Sequence, residues 1–354
     1  MTTNQFIIGA NDRILVTGAA GFIGARVVQA LLNRGFRRVR CLVRPSSDVS
    51  RLERIAREAA GTGSVEIRRG NLLSREDCVA AAEGAAVIVH LAAARGEKSF
   101  ADAFSNSVVT TRNLLDAAVR YRELKRFVNI SSFAVYSNVG KTSRRVLDES
   151  SPVEARPELR GHAYTFAKAK QDDLVRAYGE QHGIPYVIVR PGYVYGAGNE
   201  AITNRVGIGT FGVFLHLGGF NTIPLTFVDN CADAIALAAV TQGVDGQVFN
   251  IVDDDLPTSR RFLALYKRHV RRFRLIYVPH AMSYLLCTCW EVYSHRSQGQ
   301  LPPVYNRRAW HAFWKRTRYT NDKAKRLLGW RPPVTTAEGL RIYFQSCREK
   351  LNHA

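Results

Sequence analysis

Cysteine is scarce. The six residues at positions 41, 78, 231, 287, 289 and 347 are scattered apart from Cys287 and Cys289, and 354 residues need no disulfide scaffold. They read as mostly inert thiols of a reducing, cytoplasmic setting. Long hydrophobic runs are absent too. Val206–Val228 is uncharged but carries five Gly, Asn221 and Pro224, which make a poor helix. Leu275–Trp290 is 16 residues long and includes Pro279 and His280, too short to span a bilayer. Met1–Asn11 lacks the basic start and apolar run of a secretory signal. Neither an internal repeat nor a collagen-like Gly period appears, and a 46% apolar share excludes disorder as the default state.

Acidic residues are the third shortage. Lys and Arg number 50, of which 40 are Arg, against 30 Asp and Glu, a net charge of +20. Residues 256–354 hold 20 bases and four acids (Glu291, Asp322, Glu338, Glu349), and so carry +16 of that excess. Such a field draws anions: substrate phosphates, an anionic membrane surface or nucleic acid. Arg in place of Lys favours forked contacts to phosphate or carboxylate. Aromatics lie among the bases (Trp310, Phe313, Trp314, Tyr319), but no nucleic-acid module is recognisable and no nucleic-acid partner is expected.

What is present is a regular alternation. Arg13–Thr17, Arg38–Val43, Val65–Arg68, Ala85–Ala93, Phe127–Ser131, Tyr186–Arg190 and Val248–Val252 read as strands. Helical patterns fall at Ala25–Leu32, Val109–Tyr121, Tyr164–Tyr178 and Asn230–Val240. The order predicts an α/β fold, a Rossmann-type doubly wound parallel sheet, with a smaller mixed α/β C-terminal lobe. Residues 1–190 with 226–255 are expected to form the dinucleotide domain, and 191–225 with 256–354 the substrate lobe and basic tail.

Between the first strand and first helix stand Gly18, Gly21 and Gly24. Glycine there permits a tight turn and lets backbone approach a pyrophosphate at the helix N-terminus. The residue closing the second strand usually reads the adenosine ribose, and Asp or Glu would hold a 2′-hydroxyl. Here it is Arg44, suited to a 2′-phosphate, with no carboxylate until Asp48. NADP is therefore the preferred cofactor, NAD the second choice.

Tyr164 and Lys168 stand at i and i+4 on one helical face, and Ser131-Ser132 ends the fifth strand, where open α/β sheets bind ligands. A phenol of pKa about 10 becomes a useful acid/base at neutral pH when a neighbouring ammonium favours its phenolate. Lys168 can supply that charge. A serine hydroxyl can then hold the substrate oxygen while hydride moves to or from nicotinamide C4.

With these motifs the chain resembles an extended short-chain dehydrogenase/reductase of the NAD(P)-dependent epimerase/dehydratase family. The matching segments run nearly end to end: TGAAGFIG (17–24), GNLL (70–73), HLAA (90–93), Asn106–Thr110, SSFAVY (131–136), YTFAK (164–168), RPGYVYG (190–196), FVDNCADAI (227–235), VFNI (248–251) and LGWRP (328–332). The resemblance implies Ser132 as hydroxyl donor, Tyr164 as acid/base and Lys168 as its partner. It places Phe22 and Ile23 with the glycine turn, Asn71 and Leu72 near adenine, and Leu91, Ala92, Ala93, Asn106 and Pro191 along the cofactor. Family members usually have Asp where Asn71 stands. Arg95, Tyr193 and Asn221 are expected to face substrate, no metal is expected, and a homodimer is implied.

The substrate stays open between readings. The first is an oxidoreductase or epimerase acting on a diphosphate-linked sugar, nucleotide or polyprenyl. The basic tail suits it, but soluble nucleotide-sugar epimerases of the family tend to carry an Arg within the stretch that here reads Gly218–Val228 without one. That stretch resembles the 3β-hydroxysteroid dehydrogenase branch. The alternative is accordingly an NADP-dependent ketone/alcohol oxidoreductase for an apolar ring, such as a steroid or dihydroflavonol. A non-catalytic NADP sensor is a third reading, disfavoured by the intact Ser132, Tyr164 and Lys168. Finally, Met282, Leu285, Leu286, Cys289, Trp290 and Tyr293 form a stripe at helical spacing. Beside Arg307, Arg308, Lys315, Arg316 and Arg318 it suits peripheral contact of 278–318 with an anionic membrane; turned inward, it suits an ordinary core helix.

Overall fold

The computed structural model describes residues 6–93, 99–139, 146–298 and 300–352. Among them, seven strands form one sheet: β1 (Arg13–Thr17), β2 (Arg38–Val43), β3 (Ser64–Arg69), β4 (Ala85–His90), β5 (Arg126–Ile130), β6 (Tyr186–Pro191) and β7 (Val248–Ile251). Their spatial order is β3-β2-β1-β4-β5-β6-β7, and every pairing is parallel. Parallel strands covered on both faces need apolar side chains on both, which is why β4 reads AAVIVH and is buried throughout. On one face, helices Gly24–Asn33 and Val228–Val240 close a core with Val16, Val28, Val89 and Ile235. On the other, Leu114, Phe127, Val175 and Ile188 belong to a second core.

The expected strands and helices are found, Arg13–Thr17 and Arg38–Val43 with the expected ends and the others with ends shifted by at most four residues. The sequence reading left out helices Ser50–Glu58 and Arg75–Ala82, and a mixed three-stranded sheet in the lobe. In that sheet Val213–His216 pairs antiparallel with Gly207–Thr210 and parallel with Leu275–Tyr277. These strands are three or four residues long, and the third lies some sixty positions beyond the hairpin.

Helix His280–Arg296 settles the stripe's direction. Its buried residues are Ser283, Cys287 and Ser294, while Met282, Leu285, Leu286, Cys289 and Tyr293 are exposed. The core-helix expectation is thereby corrected: small and hydroxyl side chains face the lobe with Tyr284, and five of the six stripe residues face outward, while Trp290 is half-buried, its Nε1 donating to the Pro302 carbonyl at 3.2 Å. Trp310 Nε1 donates to Ser283 Oγ at 2.9 Å, and Ser294 Oγ to the Leu301 carbonyl at 2.6 Å, which fixes this orientation. Among the described residues no helix is long and apolar enough to cross a membrane.

Candidate active site

A cleft of about 1100 Å³ opens at the carboxyl ends of β1, β2, β4, β5 and β6 and runs into the lobe, large enough for a dinucleotide beside a second ligand. Its floor begins at the glycine turn. Gly18 has φ +69°, and a Cβ there would press on the Ala92 backbone at 2.9 Å; a Cβ at Gly24 would overlap the Gly18 carbonyl. Helix Gly24–Asn33 follows without a side-chain cap, its Ala25 N–H donating to the Gly21 carbonyl at 3.3 Å, and the positive end of its dipole faces the turn. Glycine-lined backbone ahead of an uncapped helix N-terminus fits the pyrophosphate of a nicotinamide dinucleotide.

Around that floor the cleft gathers Gly21, Phe22, Ile23, Arg44, Asn71, Leu72, Leu91, Ala92, Ala93, Asn106 and Pro191. Asn71 Oδ1 accepts from Leu73 N at 3.0 Å, while Asn113 Nδ2 holds the Leu72 and Leu73 carbonyls. The adenosine end also contains Arg51, which the sequence reading passed over. Asp48, the carboxylate nearby, accepts from Ser50 N at 2.9 Å, and that contact draws it below the usual carboxylate range. Asp48 stands one residue before the N-cap Val49 of helix Ser50–Glu58, and two guanidiniums line the same end of the cleft.

Ser132, Tyr164 and Lys168 line this cleft, Ser132 just past the end of β5 and the other two in the first turns of helix Ala163–His182. Lys168 is buried and donates to the Ile130 carbonyl at 2.7 Å, tying its ammonium to the end of β5. Tyr164, one turn earlier, stays partly open to the cleft. Ser132 Oγ accepts from Ala134 N at 3.1 Å, which fixes the side chain and leaves its proton to donate. The loop is held from behind by Arg160, whose guanidinium donates to the Ala134 and Tyr136 carbonyls and pairs with Glu154. Glu154 also takes Arg308 at 2.8 Å, so the basic helix Arg307–Phe313 is pinned to the loop beneath Ser132.

Behind the helix lies a buried polar layer. Asp172, one turn after Lys168, accepts from Asn129 Nδ2 at 3.0 Å and from Arg190 Nε and Nη2 at 3.1 and 2.8 Å. His90 bridges Thr17 Oγ1 (2.8 Å) and Thr111 Oγ1 (2.9 Å), and Gln171 Nε2 donates to the same Thr111 at 2.6 Å. Burial, with the Lys168 charge adding to it, pushes His90 down to about 3, so it is a neutral link at working pH. The signal for this layer was in the sequence: Gln171 and Asp172 fall three and four residues after Lys168, where a sheet-packed helix face should be apolar.

On the substrate side the cleft is lined by Phe133, His162, Tyr193, Ile202, Arg205 and Phe313. Arg205 Nη1 donates to the Ala312 carbonyl at 2.9 Å, and its guanidinium lies 5.5 Å from the Phe313 ring centre. It precedes the uncharged Val206–Val228 stretch by one residue and was not singled out from sequence. Asn221 does not reach the cleft: it is buried in the lobe, its carbonyl accepting from Ser259 N at 2.7 Å. Arg95 lies outside the described residues. Among the described residues no cluster of His, Cys, Asp and Glu could hold a metal ion.

Comparison with known proteins agrees with this architecture. The NAD dependent epimerase/dehydratase family matches residues 14–252. A 4-hydroxy-2-methyl-3-oxo-4-farnesyl-3,4-dihydroquinoline-1-oxide ketoreductase of Stigmatella aurantiaca is 29% identical over 336 residues, 93% of this chain and 94% of the relative. A trifunctional UDP-glucose 4,6-dehydratase/UDP-4-keto-6-deoxy-D-glucose 3,5-epimerase/UDP-4-keto-L-rhamnose-reductase of Arabidopsis thaliana is 27% identical over 249 residues, 67% of this chain and 36% of that longer protein. In fold, the chain is similar to the UDP-glucuronic acid 4-epimerase of Bacillus cereus, solved in complex with NAD. There the TM-score is 0.70 at 21% identity, with 96% of this chain and 99% of that one covered.

Proposed function

The chain belongs to the NAD dependent epimerase/dehydratase family, and from that premise we propose that it moves hydride at a secondary alcohol or ketone carbon with Tyr164, Lys168 and Ser132 as its working residues. The observation that carries this reading is their convergence in one cleft with the glycine turn. When bound, the nicotinamide supplies or accepts the hydride. Ser132 donates to the substrate oxygen, Tyr164 gives up or takes the proton on that oxygen, and Lys168 favours the phenolate form. Residues 1–190 with 226–255 hold the dinucleotide in this reading, and 191–225 with 256–354 shape the substrate side.

For the substrate we favour a diphosphate-linked sugar, nucleotide or polyprenyl. Arg205 supports it, since a guanidinium in the substrate half offers a forked contact to phosphate. The nucleotide-sugar enzymes among the relatives and solved structures support the same class. The second reading, reduction of a ketone on an apolar ring, is favoured by Phe133, Ile202 and Phe313 in the lining and by the ketoreductase that matches nearly end to end. A panel of UDP- and dTDP-sugars, a polyprenyl-diphosphate sugar and prenylated ring ketones separates the two. Turnover of a diphosphate sugar is the expected result. NADPH consumption by the ring ketones alone sinks the first reading, and no hydride transfer with any of them counts against both.

NADP is the cofactor we propose, with Arg44 and Arg51 toward the 2′-phosphate. Arg44→Asp should lower the NADPH/NADH affinity ratio by about tenfold or more, the value of one charge-assisted contact. Fluorescence titration of both nucleotides reads it, and an unchanged ratio removes Arg44 from the phosphate. A homodimer is part of the proposal, supported by exposed Phe100 and Phe104 beside Phe166 on the outer side of the Tyr164 helix.

A further inference from the structure

The outward face of helix His280–Arg296 has no part in the cleft. Met282, Leu285, Leu286, Val292 and Tyr293 are 46–61% exposed and fall on one side of it. The opposite side is anchored: Cys287 is buried with Leu217, Val278, Trp310 and Trp314, and Ile208, Leu215 and Tyr284 pack against that cluster. Ile276 is a further exposed apolar side chain, on the edge strand of the lobe's three-stranded sheet. It pairs in register with Leu215, and Leu215 with Ile208, so all three emerge on the sheet side against which the helix packs; Ile276 is 53% exposed there. A half-exposed run of this kind, continuous over more than two helical turns, marks an interaction surface.

Charge selects what covers it. The bases at 307–318 were expected to supply the attraction, but three are already engaged. Arg307 pairs with Glu291, Arg308 with Glu154, and Lys315 Nζ donates to the Asn138 carbonyl. Arg271, Arg272 and Arg274, just before Ile276, and Arg296, closing the helix, have no carboxylate within 4.0 Å among the described residues. Glu291 is the helix's one acid, and Arg307 neutralises it. A second copy docked on this face would set one +16 segment against another. A surface of anionic phospholipid meets both requirements, taking the apolar side chains into its acyl boundary and the guanidiniums at its headgroups.

We propose that the outward face of helix His280–Arg296, together with Ile276, inserts into an anionic phospholipid surface, held by Arg271, Arg272, Arg274 and Arg296. The proposal stands apart from the catalytic reading, because vesicle binding requires no turnover. The test is co-sedimentation of the full chain with phosphatidylcholine vesicles, with and without phosphatidylglycerol. Wild type is compared with Leu285→Glu/Leu286→Glu and with Arg272→Glu/Arg274→Glu, each checked for folding by NADPH binding. Expected are pelleting that needs phosphatidylglycerol, a loss with rising salt, and a fall of about tenfold or more in partitioning for each pair of substitutions. No pelleting at low salt overturns the proposal, as does pelleting undiminished by Leu285→Glu/Leu286→Glu. Concentration-dependent self-association that this pair abolishes, without vesicle binding by wild type, assigns the face to a second copy instead.

Discussion

Replacing Tyr164 with Phe should cut turnover by about 10³-fold, near the middle of what a positioned acid/base contributes, while NADPH binding changes by less than about twofold. The substitution removes one hydroxyl and keeps the ring. Lys168 keeps its bond to the Ile130 carbonyl, and Ser132 stays fixed by Ala134 N, so the cleft is otherwise intact. A drop of that size corresponds to about 4 kcal/mol of transition-state stabilisation. Single-turnover absorbance at the NADPH band, with whichever substrate the panel identifies, measures it beside a fluorescence titration of cofactor. Turnover within about threefold of wild type would remove Tyr164 from the proton path. Equal losses of turnover and cofactor affinity would mean that the phenol holds the nucleotide.

Asp172→Ala should be the most damaging substitution to stability outside the glycine turn, at about 3–5 kcal/mol. Asp172 and Asn129 are fully buried and Arg190 nearly so. The carboxylate accepts both donors of Arg190 on one oxygen and Asn129 on the other. Without it a guanidinium is left uncompensated in the interior, beside the Tyr136 ring 4.7 Å away. Asp172→Asn keeps one acceptor oxygen and should cost less. The damage reaches the site because Asp172 lies one turn from Lys168 and ties their common helix to β5 and β6. Urea unfolding followed by tryptophan fluorescence gives the free energy, and an Asp172→Ala midpoint equal to wild type would contradict this account of the buried layer.

The sheet was legible because its inner strands are buried on both faces. RILVT, RVRCLV, AAVIVH and YVIVR are near-continuous apolar runs closed by Gly, Pro or polar residues, and their observed bounds lie within a few positions of those the pattern gives. The glycine turn and the Tyr164/Lys168 pair were legible for a related reason: each is a local spacing whose meaning comes from the strand it follows. Helices Ser50–Glu58 and Arg75–Ala82 were not: the first buries only Leu52 and Ile55 among nine residues of which five are charged, and the second, rich in alanine, shows little stripe. The lobe was opaque for want of local order. Leu275–Tyr277 finds its partner across some sixty residues, and only that pairing gives its three residues a strand identity. Arg205 is one Arg among forty until the fold sets it against Phe313. The stripe at 282–293 carried both of its readings equally, because periodicity reports a face but not its direction. Only Ser283, Cys287 and Ser294, small residues on the packed side, hinted that the large ones point out.

The central claim is that this cleft holds a nicotinamide dinucleotide for hydride transfer, and native mass spectrometry of the purified chain tests it most directly. One NADP(H) per chain is predicted, either retained through purification or taken up on adding NADPH, and released on denaturation. Retention would point to an enzyme that returns its hydride within each cycle, and uptake into an empty site to one that exchanges cofactor. A chain that binds neither NADPH nor NADH would contradict the account.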